Sequence, residues 1–177
     1  MIPKRKLPKI ISTLIATAML LLVSTVAPTG ASAATLSADQ KALVLNIAKT
    51  SPEIAIVVQA ALTREDARYR AGGTGPNSFD CSGLVMWSFA KAGVKLKHGT
   101  ANQIKQVKRI SRKDLQPGDL VFSGRTKGGI QHVALYIGDG KVIHATYGST
   151  SKKNQVRIDD LDSSWVMDHK AYGRVKI

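Results

Sequence analysis

A single cysteine, Cys81, stands among the 177 residues, so no intramolecular disulfide framework holds the fold. Acidic residues are scarce as well: 12 Asp and Glu face 26 Lys and Arg, a formal net charge of +14. That imbalance points to anionic surroundings or an anionic partner. There is no arginine-rich run and no basic patch interleaved with aromatics, which are only 5% of residues. Their absence argues against nucleic acid as the partner. Internal repeats, low-complexity linkers and a separate binding module are missing too. What remains is one domain's length of chain, enough to bury a proper core.

The first residues read as an export signal. Lys4, Arg5, Lys6 and Lys9 make a basic start, and Ile10 to Val26 is apolar with scattered Ser and Thr. Pro28 and Gly30 break the run, and Ala31-Ser32-Ala33 has the small-x-small pattern of a cleavage site. Residues 1–33 are therefore expected to be a signal peptide cut after Ala33. An uncleaved anchor is the competing reading, because the apolar run approaches a spanning length; the breakers and the cleavage pattern favour removal. The expected product is secreted or wall-located, free of the membrane and still basic. Anionic wall polymers or anionic lipid then outweigh nucleic acid as its counterpart. In such a compartment an unpaired thiol is flagged as reactive.

That thiol sits in Phe79-Asp80-Cys81-Ser82-Gly83, which runs into the apolar segment Leu84 to Ala90. The apolar spacing predicts a helix of about three turns. Asp80 is its expected N-cap and Gly93 its left-handed terminator. Cys81 then lies at a helix N-terminus, where unpaired N–H groups and the macrodipole favour a thiolate. The effect is about one pKa unit. A good nucleophile needs more, so a basic partner is expected elsewhere. Otherwise Cys81 is what a free cysteine commonly is, a small buried hydrophobe.

Before it, Ala34 to Tyr69 reads as two helices. Ser37 with Gln40 forms a capping-box start for the first, which runs to about Lys49. Ser51-Pro52-Glu53 starts the second. Ile54 to Val58 is apolar all round, so this second helix is expected to be buried. The first is only modestly amphipathic and reads as an accessory arm, residues 34–51, ahead of a main domain over 52–177. The Gly-rich Ala71 to Pro76 ends the helical part.

After Gly93 the segment Val94 to Lys113 is polar and basic, with a short helix expected over Ala101 to Val107. Pro117-Gly118-Asp119 is a turn and Leu120-Val121-Phe122 opens a strand, followed by a Gly-rich loop over Gly124 to Gly129. His132 to Ile137 and Lys141 to Thr146 then read as a hairpin around Gly138-Asp139-Gly140. A two-residue Asp139-Gly140 loop places His132 and His144 on opposite faces. A three-residue loop with Gly140 left-handed pairs Ile137 with Lys141, and His132 with Thr146. The histidines are then diagonal neighbours on one face, about 7–8 Å apart at the backbone. The three-residue loop is the reading adopted.

A helix-terminal thiol with an imidazole backed by a second polar group is the arrangement of a cysteine hydrolase. His132 is the candidate base that deprotonates Cys81 and later protonates the leaving amine, and His144 holds its ring and tautomer. Metal binding by Cys81, His132 and His144 is the weaker alternative. The ligands are far apart in the chain, no carboxylate has ligand spacing, and structural zinc wants four ligands.

From about Ile54 onward the sequence resembles the NlpC-type, papain-like peptidases of bacterial cell walls. The resemblance rests on ordered blocks: Tyr69-Arg70-Ala71-Gly72-Gly73; Phe79-Asp80-Cys81-Ser82-Gly83-Leu84-Val85; Thr100 with Gln103; Pro117 to Phe122; His132 to Gly138; and Ile143-His144-Ala145. It implies an α+β papain-like fold with N-terminal helices packed on an antiparallel sheet. It also implies Cys81 as nucleophile, His132 as base and His144 as its orienting partner. Tyr69 is placed beside the nucleophile, and Asp80 and Ser82 at the ends of a γ-D-glutamyl unit. For these three, packing, capping and a first-turn hydroxyl are the structural alternatives. The implied activity is an exported endopeptidase cutting the D-γ-glutamyl–diamino acid bond of peptidoglycan stem peptides through a Cys81 thioester, with no metal or organic cofactor. A cysteine–histidine amidase of the same wall and a non-catalytic cationic wall-binding protein are the alternatives. The chain departs from the family pattern at Ala71, at Lys97 and His98, and at Ser123. These positions bear on substrate preference rather than reaction type.

Overall fold

The computed structural model describes residues 34–126, 129–147, 155–163 and 169–177; the expected signal peptide, 1–33, lies outside them. The first element, α1 (Ala38–Ala48), begins with the expected capping box: Ser37 Oγ accepts from the Gln40 N–H, and Gln40 Oε1 accepts from the Ser37 N–H. Only Ile47 of this helix is buried, and Leu43, Val44 and Ala48 pack against the core from its edge. Helix α2 (Pro52–Leu62) has Pro52 in its first turn, as its sequence predicts, though the Ser51 side chain makes no cap bond. Ala55, Val57, Val58, Ala61 and Leu62 are buried, while Ile56 faces solvent. The second helix thus has a wet stripe that its uniform apolarity concealed. It also stops at Leu62, and Arg68–Tyr69 is a strand, β1.

β2 (Ser78–Phe79) pairs with β1 in parallel. The glycine-rich stretch between them carries the chain around a full loop and not through a hairpin turn, which returns it in the same direction. α3 (Cys81–Lys91) follows at once, capped by Asp80 and ended by Gly93 at φ +78°. The helix expected over Ala101 to Val107 is only α4 (Thr100–Gln103). Val107–Ile110 is instead β3, which pairs residue for residue with β8 (His169–Val175). Tertiary pairing and two β-branched ends override a weak helical pattern.

β4 (Leu120–Thr126) and β5 (Gly129–Gly138) reach further toward each other than the Gly124–Gly129 loop expectation allowed; residues 127–128 lie outside the described ones. A Cβ on Gly124 would sit 1.9 Å from the Gly129 carbonyl oxygen. Gly124 marks a close approach of two strands, not a loop. β6 (Lys141–Thr146) and β7 (Gln155–Asp160) complete a sheet of order β2-β1-β7-β6-β5-β4-β8-β3. Apart from the two-residue β1–β2 edge, every pairing is antiparallel.

The β5–β6 hairpin keeps the expected register but not the expected turn. Leu135 faces Ile143 and Tyr136 faces Val142, while Gly138 pairs with Lys141. The turn is therefore Asp139-Gly140, both left-handed at φ +49° and +67°, the pair of positive angles that suits a tight hairpin. The surplus residue is taken up one place earlier, as a bulge at Ile137. Phe122, Val133, Leu135 and Ile143 meet Leu84, Val85 and Phe89 of α3 and the buried side of α2 in the main core. Val121, Ala134 and Val142 join Leu161 in a smaller cluster. No helix among the described residues is long and apolar enough to cross a membrane.

Candidate active site

The turn that presents Cys81 is held by one carboxylate. Asp80 Oδ1 accepts from the Gly83 N–H at 2.7 Å and from Ser82 Oγ at 2.9 Å. Its Oδ2 accepts from the Gly72 N–H at 3.0 Å and from His98 Nε2 at 2.8 Å. The Asp80 N–H in turn donates to the Gly73 carbonyl at 2.8 Å. Helix α3 presses so closely on that glycine loop that a Cβ on Gly83 would lie 1.9 Å from Gly73 O.

Ser82 is buried, and its hydroxyl also accepts from the Gly99 N–H at 3.1 Å. Gln103, fully buried, donates to the Ser82 carbonyl at 2.8 Å. Asp80 and Ser82 thus already serve internal bonds that fix the nucleophile's turn. Tyr69 stacks at a tilt on Tyr147, ring centroids 4.3 Å apart. Burial raises its phenol, and the nearby Cys81 and Asp80 raise it further. The expected neighbourhood of Tyr69, Asp80, Cys81 and Ser82 is therefore present.

Across from this turn, His132 Nε2 lies 2.8 Å from His144 Nδ1, with the rings edge-on. The backbone N–H of Val133, the residue after His132, hydrogen-bonds the Cys81 sulfur. Thr100 Oγ1 stands 3.8 Å from the same sulfur. Behind the histidine pair, the completely buried His144 places Nε2 at 3.1 Å from Asp159 Oδ2, and Arg157 Nε donates to that oxygen at 2.7 Å. Sequence reading missed Asp159 and Arg157. The polar–apolar alternation of Val156-Arg157-Ile158-Asp159 was the available signal, since β7 places Arg157 directly opposite His144 and Asp159 two residues on, on the same face.

The electrostatics correct one expectation. Burial pushes the Cys81 thiol above its ordinary value, more than the hydrogen bonds from Val133 and Thr100 pull it down. Burial also lowers the His132 imidazole from 6.5 to about 3, with His144 and Arg157 adding to the effect. The helix terminus supplies about one unit at most, and desolvation outweighs it. Burial thus disfavours the charged form of both the thiol and the imidazole. Among the described residues, no group of three or more His, Cys, Asp or Glu side chains is arranged to hold a metal ion.

A cysteine at a helix N-terminus, set against a sheet that carries a hydrogen-bonded histidine pair, defines the papain-like class of α+β folds. Within that class the chain belongs to the NlpC/P60 family, whose profile matches residues 66–173. It is 41% identical over 124 residues to the bifunctional muramidase/DL-endopeptidase CwlT of Bacillus subtilis, covering 68% of this chain and 36% of that one. It is 40% identical over 108 residues to the probable endopeptidase p60 of Listeria monocytogenes, covering 60% and 21%. The chain thus spans a minor part of these relatives' length. A lipoprotein-like NLP/P60 protein of Staphylococcus aureus superposes with a TM-score of 0.60 at 30% identity, over 72% of this chain and 43% of that one.

Proposed function

We propose that the protein is a secreted cysteine endopeptidase of peptidoglycan that hydrolyses the D-γ-glutamyl–diamino acid bond of stem peptides. The reading is carried by the hydrogen-bonded line His132–His144–Asp159, which begins one residue from the amide bound to the Cys81 sulfur. With Nε2 of His132 engaged by His144, proton exchange with the thiol falls to Nδ1. In the proposed cycle the Sγ proton passes to that nitrogen as sulfur attacks the γ-carbonyl carbon. Because burial disfavours both charged forms, transfer and attack proceed together. The tetrahedral oxyanion forms near the first turn of α3, where the Cys81 N–H is the donor. His132 then gives its proton to the leaving amine and a thioester remains. Water, deprotonated by His132, hydrolyses it and the thiol is restored.

Tyr69, half-buried beside the sulfur, walls the cleft on the side of the substrate's γ-D-glutamyl unit. Asp80 and Ser82 act on recognition through the turn they hold. The basic surface suits anionic wall polymers.

The test is a digest of purified cell wall followed by mass spectrometry. A disaccharide left carrying L-Ala-D-Glu is the expected product. Bare glycan would mean amidase cleavage. Equal fragment release or turbidity change by wild type and Cys81→Ala would mean wall binding alone.

A further inference from the structure

The positive charge of the chain is not spread evenly. Between Val94 and Leu115, seven Lys and Arg side chains face a single acid, Asp114, and all seven are exposed. Arg112 is ion-paired with Asp162. Among the described residues, Lys95, Lys97, Lys105, Lys108, Arg109 and Lys113 form no ion pair. These cations are therefore not balanced from within the fold.

Three of them, Lys108, Arg109 and Lys113, line an open hollow of about 660 Å³ at the β3 edge of the sheet. Lys108 and Arg109 are neighbours in an extended strand, so they project to opposite faces and straddle that edge. Arg174 also lines the hollow, but Asp119 takes both its Nε and a terminal nitrogen, so its charge is matched. Asp114 is the one acid in the lining, and its carboxylate accepts from Ser111 Oγ. Past Gln116 and Arg174, which line both, the hollow continues into a second of about 670 Å³ beside the α1–α2 connection, where Lys49 is exposed. A run of two hollows suits an extended chain more than a compact ligand. β8 and β4 separate β3 from the histidine strand β5, a span of about 14 Å across the sheet. The edge and the cleft are thus distinct.

The chemistry of the lining narrows the occupant. The exposed large apolar side chains Leu45, Ile56, Tyr147 and Ile177 do not line the β3 hollow, so nothing there would enter a bilayer. No aromatic lines it either, which leaves nucleic-acid bases without a stacking platform. Two of the three unpaired cations are lysines, which take phosphate as point charges without the planar fork that fits carboxylates. We propose that the β3 edge, through Lys108, Arg109 and Lys113, is a docking groove for a linear phosphodiester polymer of the cell wall. This rests on the wall location in the endopeptidase reading, not on the cleavage. The competing role for these side chains is to keep a bare strand edge from pairing with another chain.

The test is binding of fluorescent poly(glycerol phosphate) to the purified protein, followed by anisotropy. Lys108→Gln/Arg109→Gln/Lys113→Gln is expected to weaken binding by at least about tenfold at about 50 mM salt, and to flatten the slope of log affinity against log salt by about 2. Lys41→Gln/Lys91→Gln/Lys141→Gln removes the same charge from other exposed positions and is expected to weaken binding by less than about threefold. Equal weakening by the two variants would mean that net charge alone attracts the polymer, and would overturn the groove. Self-association of the first variant with undiminished binding would leave only edge protection. Polyglutamate of matched charge, or vesicles of anionic lipid, bound as tightly as the polymer would overturn the phosphodiester assignment. Both variants are expected to keep the wild-type melting midpoint and the wild-type rate on small soluble wall fragments. Cys81→Ala is expected to bind the polymer as wild type does, so an absence of cleavage by the wild type would remove the endopeptidase reading and leave this measurement standing.

Discussion

Gly83→Ala pits two physical effects against each other at the nucleophile's turn. Helix propensity favours alanine over glycine by about 0.8–1 kcal/mol in a helix interior, which alone predicts a more stable protein. The added Cβ, however, would stand 1.9 Å from Gly73 O and 3.0 Å from Gly73 C, where ordinary contact begins near 3.4 Å. Both atoms are backbone, so no side chain can swing aside, and the loop must move away from α3. That movement strains the Asp80 N–H bond to Gly73 O and the Gly72 N–H bond to Asp80. Overpacking of this kind costs about 1–3 kcal/mol, so after the propensity gain the net effect is a loss of up to about 2 kcal/mol. At about 2–4 °C per kcal/mol for a domain of this size, the melting midpoint falls by up to about 8 °C. A displacement near 1 Å at the thiol costs about a hundredfold in rate. Thermal unfolding by circular dichroism and the initial rate of wall-fragment release measure the two parts. Gly93→Ala is the comparison: its φ of +78° is unfavourable for alanine, unlike the helical backbone of Gly83, but nothing lies within 4 Å of the added carbon. A melting midpoint at or above wild type with an unchanged rate would refute the reasoning.

Asp80→Ala removes the N-cap and four hydrogen bonds at once, and a loss of about 2–4 kcal/mol is expected in urea unfolding. Asp80→Asn should fall between this variant and wild type, since it keeps an acceptor for Gly83 and Ser82 but offers an amide to the Gly72 N–H; equal stability of all three would contradict the carboxylate's role. Alkylation of Cys81 by iodoacetamide should accelerate with pH toward a midpoint above that of an ordinary thiol, because burial raises it; a plateau reached below pH 7 would mean a preformed thiolate. The His132 imidazole takes a proton near 6.5 when unfolded but only at about 3 when folded. The unfolded chain therefore binds more protons between these values, and stability from this group is complete above about 6.5 and lost as pH falls toward 3. Urea midpoints at pH 7 and 4.5 should drop more for wild type than for His132→Gln, and an equal drop would go against it.

Local chemistry was legible in the residues themselves. Asp80 as cap, Gly93 as terminator and the capping box of Ser37 and Gln40 all involve partners within four positions of each other. The register that brings His132 to His144 was legible for a related reason: strand periodicity over a hairpin is short-range, even though the bulge settled at Ile137 and not in the turn. Features that depend on distant partners were not legible. Val107–Ile110 is extended because β8, more than sixty residues on, pairs with it. Asp159 joins the histidines through a strand that sequence spacing did not connect to them. The direction of the Cys81 shift depends on how much protein covers the sulfur, which no run of residues around it expresses.

β8 lies between β4 and β3 although it follows both by a long stretch of chain. A polypeptide ending before His169 would leave β4 with one bare edge and β3 with no neighbour at all. Assembly of the sheet is therefore gated by its last segment, and a growing chain cannot close this domain stepwise behind the ribosome. For anyone trimming the protein, His169–Val175 has to be kept, since both β3 and β4 pair with it.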